Sequence, residues 1–215
     1  MKIEILIVDN HPMIRFGLAA TVAGTRDLVV AGEAGNGNVA LEMVRGRSWD
    51  LVVMDMVMPG RSGLELIKLI RSERPRLPML VFSACQEEQY AVRAIRAGAS
   101  GYLCKEADSD ILLLALRRVA GGGVFVSQKV TELLASDVSR RNDNPPHTML
   151  TDREFGIFTR IVRGSTLTDI ADELSLSIKT VSTHKSHILD KMTLGGQAEM
   201  VRYAIEHKLL DPARE

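Results

Sequence analysis

Residues 51–55 of the chain read Leu-Val-Val-Met-Asp, an apolar run that ends at an aspartate. Residues 3–9, Ile-Glu-Ile-Leu-Ile-Val-Asp, show a similar arrangement near the start of the chain, with the aspartate again directly after the apolar residues. Short apolar runs of this kind are typical of strands buried on both faces, as in parallel sheets that are covered by helices. The two segments therefore predict a parallel α/β sheet with an acidic residue at the end of each strand.

The alternation of short apolar runs and helical segments continues on both sides of Leu51. Each predicted strand is followed by a stretch in which apolar residues recur with the helical period. Helical connections between parallel strands are right-handed crossovers, so the pattern predicts a five-stranded, doubly wound, flavodoxin-like domain over residues 1–123. The predicted strands are Ile3–Val8, Leu28–Ala31, Leu51–Met54, Met79–Phe82 and Gly101–Leu103, and the predicted helices are Met13–Ala23, Asn38–Arg45, Leu64–Arg71, Glu88–Ala97 and Asp110–Ala120.

The rest of the chain is predicted to hold a linker and an all-helical domain. Val130–Leu134 favours a short helix, whereas Ser136–Thr148 collects Ser, Asp, Asn, Arg and Pro, a composition that disfavours helix. Beyond it the periodicity is helical throughout, and Thr151 with Glu154 matches a capping box. The predicted helices here are Asp152–Arg163, Leu167–Leu174, Ile178–Met192 and Gln197–His207.

Length, charge and composition limit the partners, the location and the disulfide content that we expect of the protein. The 215 residues carry 27 basic and 27 acidic side chains, so bulk charge favours neither a polyanion nor a membrane surface as partner. No apolar run reaches the ~18 residues of a membrane span, and Met1–Asn10 lacks the pattern of a signal peptide. Two cysteines, Cys85 and Cys104, are too few for a disulfide framework. We expect a cytoplasmic protein that does not bind membranes, with domain boundaries at 1–123, 124–147 and 148–215.

A set of charged and polar residues stands directly after the predicted strands of the first domain. In an open parallel sheet, ligands bind outside the carboxyl ends of the strands, so we expect these side chains in one cleft. Crowded carboxylates attract a cation, and a few oxygen ligands suit Mg²⁺. An aspartate beside such a metal can attack a phosphoryl donor, with an ammonium group and a hydroxyl group stabilising the phosphoryl oxygens. The residues are Asp9 and Asn10 after the first strand, Asp55 after the third, Ser83 after the fourth and Lys105 after the fifth.

Three motifs in this half resemble the receiver domain of two-component response regulators. They are Val8-Asp9-Asn10-His11-Pro12, Met54-Asp55-Met56-Val57-Met58-Pro59-Gly60 and Gly98-Ala99-Ser100-Gly101-Tyr102-Leu103-Cys104-Lys105. The resemblance implies that Asp55 is the phospho-acceptor, that Lys105 binds the phosphoryl group, and that Ser83 is the switch hydroxyl. It also implies that Tyr102 turns inward on activation. Mg²⁺ would be held by Asp9, Asn10 and Asp55.

Asn10 departs from the acidic pair that the family usually has at this place. An amide oxygen can bind a metal ion but carries no charge, so we expect weaker metal binding than with a second carboxylate. Two interpretations follow for this domain. It is either a receiver phosphorylated at Asp55, or a degenerate receiver whose DNA-binding function is controlled by another input.

Residues 167–192 predict a helix–turn–helix with Ser175-Leu176-Ser177 as the turn. At about 100° per residue, Val181, Ile188 and Met192 fall on one side of the second helix, which we expect to be buried. Short polar side chains and a lysine fall on the opposite side, where they can enter a major groove and contact base edges or phosphates. These are Lys179, Ser182, Thr183 and Ser186, while Lys185 lies nearer to the buried side.

The same half resembles the LuxR-type DNA-binding domain of the NarL/FixJ response regulators. The motifs concerned are Leu150-Thr151-Asp152-Arg153-Glu154, Asp169-Ile170-Ala171 and Lys179-Thr180-Val181-Ser182-Thr183-His184. The resemblance implies dimerisation through the Gln197–His207 helix. It also implies contacts with double-stranded DNA by Lys179, Thr180, Ser182, Thr183, Lys185 and Ser186.

Charge in the helical half is nearly balanced, since Thr148–Glu215 holds nine Lys and Arg residues against ten Asp and Glu residues. Positive charge is concentrated on the second helix of the helix–turn–helix, at Lys179, Lys185 and Lys191. Acidic residues of this half are expected on scaffold surfaces away from DNA: Asp152, Glu154, Asp169, Asp172 and Glu173. We therefore expect useful affinity only from a homodimer bound to paired half-sites.

The two resemblances together imply a non-enzymatic transcription regulator. In this hypothesis a sensor histidine kinase phosphorylates Asp55, and the modification controls sequence-specific DNA binding. A hypothesis from another class is a small α/β enzyme joined to a helical module that binds protein. Specific duplex binding by the second half of the chain distinguishes the two.

Overall fold

The computed structural model describes residues 2–58, 63–84, 87–139, 145–207 and 209. The chain divides into two compact units, Met1–Ser136 and Asp137–Glu215. Within the described ranges, no helix has both the length and the apolar character that crossing a bilayer requires. The finer division into 1–123, 124–147 and 148–215 stays a prediction.

Five parallel strands form the sheet of the first unit: β1 (Ile3–Val8), β2 (Leu28–Ala34), β3 (Leu51–Met54), β4 (Met79–Ser83) and β5 (Gly101–Cys104). Their order is β2-β1-β3-β4-β5, which confirms the predicted flavodoxin-like fold. The direction of winding reverses beside β1, and ligands bind at such a point in open parallel sheets. Val8 pairs with Met54, so the residues that follow β1 and β3 are neighbours.

Five helices connect and follow these strands: α1 (Pro12–Ala23), α2 (Gly37–Gly46), α3 (Gly63–Glu73), α4 (Glu87–Ala97) and α5 (Ser109–Ala120). Every residue of β3 and β4 is buried, as the apolar runs predict. Pro12 stands in the first turn of α1, where its missing N–H has no helical partner to lose. The helix therefore begins directly after His11, and the β1–α1 connection is short.

The next helix, α6 (Gln128–Ser139), is longer than the sequence predicts. The expected helix at Val130–Leu134 is present, but the prediction that helix is absent from Ser136 onward is wrong for residues 136–139. The Ser127 hydroxyl accepts a hydrogen bond from the Val130 N–H at 3.2 Å and so caps the helix, and the Val130 side chain is fully buried. An anchored first turn supports further turns whose own composition is unfavourable, because helix propagation costs less than nucleation.

The second unit is helical, with a 3₁₀ turn at Pro146–Met149 followed by α7 (Asp152–Val162), α8 (Leu167–Leu174), α9 (Ile178–Met192) and α10 (Gln197–Glu206). Phe155, Phe158, Ile170, Ile188 and Met200 are buried in its core. The predicted capping box at Thr151 is confirmed, with hydrogen bonds in both directions between Thr151 and Glu154. A second capping box, between Thr166 and Asp169, starts α8.

Candidate functional site

The residues predicted at the strand ends meet in one pocket at the carboxyl edge of the sheet. Asp55 N–H donates to the Val8 carbonyl at 2.9 Å, and Lys105 N–H donates to the Ser83 carbonyl at 2.9 Å, so the sheet pairing extends beyond the strands. Regular pairing of this kind fixes the direction of each following side chain. We call the resulting group the aspartate pocket; it consists of Asp9, Asn10, His11, Asp55, Ser83 and Lys105.

Lys105 bridges the two carboxylates of the pocket. Its Nζ lies 2.6 Å from Asp9 Oδ2 and 2.9 Å from Asp55 Oδ2. The two carboxyl side chains are only 3% and 5% exposed, so the ammonium group is their main neutralising charge among the described contacts. Burial alone lowers the pKa of Lys105, but the hydrogen bonds to Asp9 and Asp55 and the attraction of their charges outweigh it and raise the pKa above its usual value.

The other carboxylate oxygen of Asp55 also has two donors. Ser83 Oγ donates to Asp55 Oδ1 at 2.8 Å, and the Met56 N–H donates to the same oxygen at 2.6 Å. Ser83 is fully buried at the end of β4. The carboxylate is therefore held in one orientation by a lysine on one side and by a hydroxyl and a backbone amide on the other.

Asp9 is held by the short connection that follows β1. Its Oδ1 accepts hydrogen bonds from the His11 N–H at 2.8 Å and from His11 Nδ1 at 3.1 Å. Arg15 in α1 donates to the Asp9 carbonyl at 2.7 Å. His11 also belongs to the pocket, although its position two residues after Asp9 in the sequence does not show where the ring lies.

The donor set of the pocket fits a divalent cation. Oxygen atoms of Asp9 and Asp55 and a ring nitrogen of His11 lie within 4.8 Å of one another. Asn10 Oδ1 is buried and has no hydrogen-bond partner, so an acceptor oxygen is available beside the carboxylates. Buried carboxylate and amide oxygens are ligands that suit Mg²⁺. The residues present are therefore compatible with such an ion.

Two further residues lie close to the pocket: Gly63 packs against the backbone of Asp55, and Tyr102 is buried in the strand that precedes Lys105. Gly63 at the start of α3 lies so close to the Asp55–Met56 backbone that a Cβ at this position would approach Met56 Cα to 2.7 Å. The sequence gives no sign of this contact, which forms only when the chain folds. Tyr102 in β5 is fully buried. It pairs with Val81 in β4, which lies two residues before Ser83.

The second unit contains the predicted helix–turn–helix. Ser175 ends α8 in the left-handed conformation, with a φ of 53°, and the Leu176 N–H donates to the Ala171 carbonyl at 2.8 Å. The Ser177 hydroxyl accepts a hydrogen bond from the Thr180 N–H at 3.0 Å and caps α9. The link between the two helices is therefore a short, hydrogen-bonded turn.

The faces of α9 divide as the periodicity predicts. Val181, Ile188 and Met192 are buried. Thr180 is half-buried, and its hydroxyl lies 2.8 Å from Ser177 Oγ, so it belongs to the cap of the helix. Lys185 is also half-buried, with Nζ 3.2 Å from Gln197 Oε1. The remaining predicted contacts are exposed together on the outer face: Lys179, Ser182, Thr183 and Ser186.

Glu154 and Lys191 differ from the sequence-based expectation. The sequence predicts Glu154 on a surface, but its side chain is buried, with 4% exposure, and its Oε2 lies 2.7 Å from Lys191 Nζ. The expectation is wrong because Glu154 closes the capping box of α7 and packs against the far end of α9. Lys191 therefore neutralises a buried carboxylate, and its charge is not part of the outer face of α9.

Two family models match the chain. The response regulator receiver domain matches residues 5–117, and the family described as bacterial regulatory proteins, luxR family, matches residues 148–204. The chain belongs to the response regulators that carry a LuxR-type DNA-binding domain. This response regulator is thus a two-component transcription regulator, and its family is one of DNA-binding regulators.

Known proteins are similar to this response regulator over nearly its whole length. It is 35% identical to the oxygen regulatory protein NreC of Staphylococcus haemolyticus, over 97% of this chain and 99% of NreC. It is 31% identical to the response regulator GacA of Pseudomonas aeruginosa, over 98% of this chain and 99% of GacA. RcsB from Salmonella enterica serovar Typhimurium, solved bound to promoter rprA in the presence of the phosphomimetic BeF3-, has a similar fold, with a TM-score of 0.67 and 21% identity over 94% of this chain and 98% of that chain.

These findings bear on the two alternatives to a phosphorylated regulator. The LuxR-type domain does not support a helical module dedicated to binding protein. The degenerate receiver is not favoured either, because the chain matches regulators of this family along its full length.

Proposed function

We propose that Asp55 accepts a phosphoryl group from a partner histidine kinase in the cytoplasm, and that this modification controls how the second unit binds duplex DNA. One arrangement carries the proposal. The Asp55 carboxylate is held between the Lys105 ammonium group at 2.9 Å and the Ser83 hydroxyl at 2.8 Å, at the edge of the sheet where ligands bind.

The transfer requires a nucleophile and positive charge at the phosphoryl oxygens. A carboxylate oxygen of Asp55 forms a bond to phosphorus while the bond from phosphorus to the donor's imidazole nitrogen breaks, and that nitrogen keeps the electron pair. Lys105 neutralises charge on the phosphoryl oxygens, and the Ser83 hydroxyl donates a hydrogen bond to one of them. Mg²⁺, when held by Asp9, Asn10 and Asp55, supplies further positive charge at the same oxygens.

Phosphorylation changes contacts that are already made in the unmodified pocket. Ser83 Oγ and Lys105 Nζ both contact Asp55, so each exchanges a carboxylate oxygen for a phosphoryl oxygen. Ser83 pairs with Cys104 across the strands, and Tyr102 is buried on the same strand as Cys104. Movement of Ser83 is therefore passed to β5, and we assign Tyr102, whose side chain is already turned inward here, to the strand that responds to phosphorylation.

The outer face of α9 is the proposed DNA contact. Ser182, Thr183 and Ser186 offer short hydroxyl groups to base edges, and Lys179 offers charge to a phosphate or a guanine. Thr180 and Lys185 contribute at the margin of the face, because each is half-buried and is hydrogen-bonded to another side chain. Thr183 and Ser186, in contrast, are exposed, and their hydroxyl groups donate to backbone carbonyls of α9.

A homodimer completes the proposal, because a single α9 carries little free positive charge and a dimer binds two half-sites at once. Ile205 on α10 is 62% exposed, and an apolar side chain of this size gains by burial between two copies. Equilibrium sedimentation of the chain and of Ile205→Glu tests the role of this helix.

The central experiment treats the full chain with acetyl phosphate and Mg²⁺ and measures its intact mass. We expect a gain of one phosphoryl group that is lost in Asp55→Asn and kept in Asp27→Asn, an exposed aspartate that pairs with Arg117 outside the pocket. A duplex selected from a random pool by the phosphorylated chain then provides the probe for gel shifts. Equal labelling of the Asp55→Asn variant contradicts the proposal.

A further inference from the structure

The aspartate pocket contains an imidazole group that phosphoryl transfer does not use. His11 Nδ1 lies 3.1 Å from Asp9 Oδ1, and the backbone N–H of His11 donates to the same oxygen at 2.8 Å. The two contacts hold the ring beside the carboxylate. The side chain is nevertheless 62% exposed, so the second ring nitrogen can carry its proton in contact with water.

The spacing of these atoms is that of two ligands on one ion. Bonds of about 2.1 Å in an octahedral site place adjacent ligand atoms about 3.0 Å apart and opposite ones about 4.2 Å apart. The distance from His11 Nδ1 to Asp9 Oδ1 is 3.1 Å, which matches that of adjacent ligands. One cation can therefore contact both atoms without a change in the backbone of the β1–α1 connection.

The imidazole nitrogen of His11 affects the choice of ion because Asn10, the neighbouring donor, is uncharged. The amide contributes a buried acceptor oxygen but no charge, so the pocket offers two carboxylates, one neutral oxygen and one imidazole nitrogen. Carboxylate and carbonyl oxygens suit Mg²⁺, whereas imidazole suits first-row transition ions, whose affinity for mixed nitrogen and oxygen sites increases from Mn²⁺ to Cu²⁺. A donor set that includes imidazole therefore favours transition ions over Mg²⁺.

We propose that His11 is a direct ligand of the divalent cation in the aspartate pocket and makes this pocket select transition ions such as Mn²⁺ over Mg²⁺. The inference rests on the proposed function, because it concerns the same pocket. It goes further by naming a residue that sets which ion binds.

The test measures binding of each ion to the full chain. The free Mn²⁺ signal in electron paramagnetic resonance gives the Kd for Mn²⁺, and competition by Mg²⁺ gives the Kd for Mg²⁺. The variant His11→Ala is expected to raise the Kd for Mn²⁺ about tenfold and to change the Kd for Mg²⁺ less than about twofold. His187→Ala is the matched control, since it removes an exposed histidine from α9 and leaves the pocket intact.

A second readout reports the bond itself. With Zn²⁺ as a diamagnetic probe, nitrogen-15 NMR is expected to show a large shift of the Nδ1 resonance of His11 in the chain, and no such shift in Asp9→Asn. An unchanged ratio of the two Kd values in His11→Ala, or a His11 resonance that does not respond to Zn²⁺, overturns the proposal.

The two proposals fail separately. Phosphorylation of Asp55 together with an unchanged ion preference in His11→Ala overturns the role of His11 alone. Absence of binding for both ions, together with absence of phosphorylation at Asp55, overturns both.

Discussion

Lys191 Nζ, close to the end of α9, lies 2.7 Å from Glu154 Oε2 at the start of α7. The same oxygen accepts hydrogen bonds from the Thr151 N–H at 2.8 Å and from Thr151 Oγ1 at 2.9 Å. One buried carboxylate thus starts α7 and fixes the end of the helix that is proposed to contact DNA.

Substitution of Lys191 is expected to lower the stability of the second unit without changing the positive charge that faces DNA. Lys191→Ala leaves a buried carboxylate without its ammonium partner, and we expect it to lower the free energy of unfolding of the second unit by about 1–2 kcal/mol, since the lysine is partly exposed. Lys179→Ala is the matched variant, expected to leave the unfolding transition unchanged and to reduce the salt slope of DNA binding by about 1. Calorimetry and salt titration of both variants check this, and equal salt slopes for the two contradict it.

Acidification is expected to weaken the same contact. Burial raises the pKa of Glu154, but hydrogen bonds from Lys191 and Thr151 outweigh it and hold the pKa below the usual 4.5. As pH falls below about 4.5 the unfolded chain takes up the proton first, so this contribution to stability is present above that pH and is lost below it. Unfolding of the second unit, measured between pH 6 and pH 3, should depend on pH less steeply in Glu154→Gln than in the unsubstituted chain.

Lys105 is expected to stabilise the first unit as well as to bind the phosphoryl group. In Lys105→Met two buried carboxylates lose their shared cation, and we expect a loss of about 3 kcal/mol in chelator. Addition of a divalent cation should restore part of this, because the ion takes over the neutralising charge. Urea unfolding followed by the fluorescence of Trp49, the only tryptophan of the chain, reports on this unit alone. Full stability of the variant in chelator would exclude the role.

Much of this pocket could be predicted from the sequence because parallel strands end at one edge of the sheet. Asp9, Asp55, Ser83 and Lys105 each follow an apolar run, and the sheet brings these run ends together. Three contacts, two in the pocket and one in the second unit, could not be predicted from the ends of apolar runs. The ring of His11 lies over Asp9 through a local turn, Glu154 meets Lys191 across 37 residues, and Gly63 meets Met56 through tertiary packing.

Replacement of Gly63 by alanine is expected to destabilise the first unit and to displace the backbone of Asp55. A Cβ would come within 2.7 Å of Met56 Cα and 3.0 Å of the Asp55 carbonyl oxygen, and backbone atoms cannot yield as a flexible side chain can. Gly63→Ala should therefore cost about 1–3 kcal/mol and slow phosphorylation by displacing Asp55. Gly17→Ala is the control, because a Cβ at this exposed position meets nothing within 4 Å. Intact-mass time courses compare the two, and identical rates contradict the prediction.

The outer face of α9 should separate residues that read bases from residues that hold the helix. Ser182 is exposed, so Ser182→Ala is expected to reduce discrimination between the selected duplex and a single-base variant by about 1–3 kcal/mol without a change in stability. Thr180 is half-buried, and its hydroxyl lies 2.8 Å from Ser177 Oγ. Thr180→Val should therefore weaken binding to both duplexes by a similar factor and lower the melting temperature of the second unit. Competition gel shifts with the two duplexes measure both effects. A loss of discrimination in Thr180→Val with none in Ser182→Ala would reverse the assignment of the two residues.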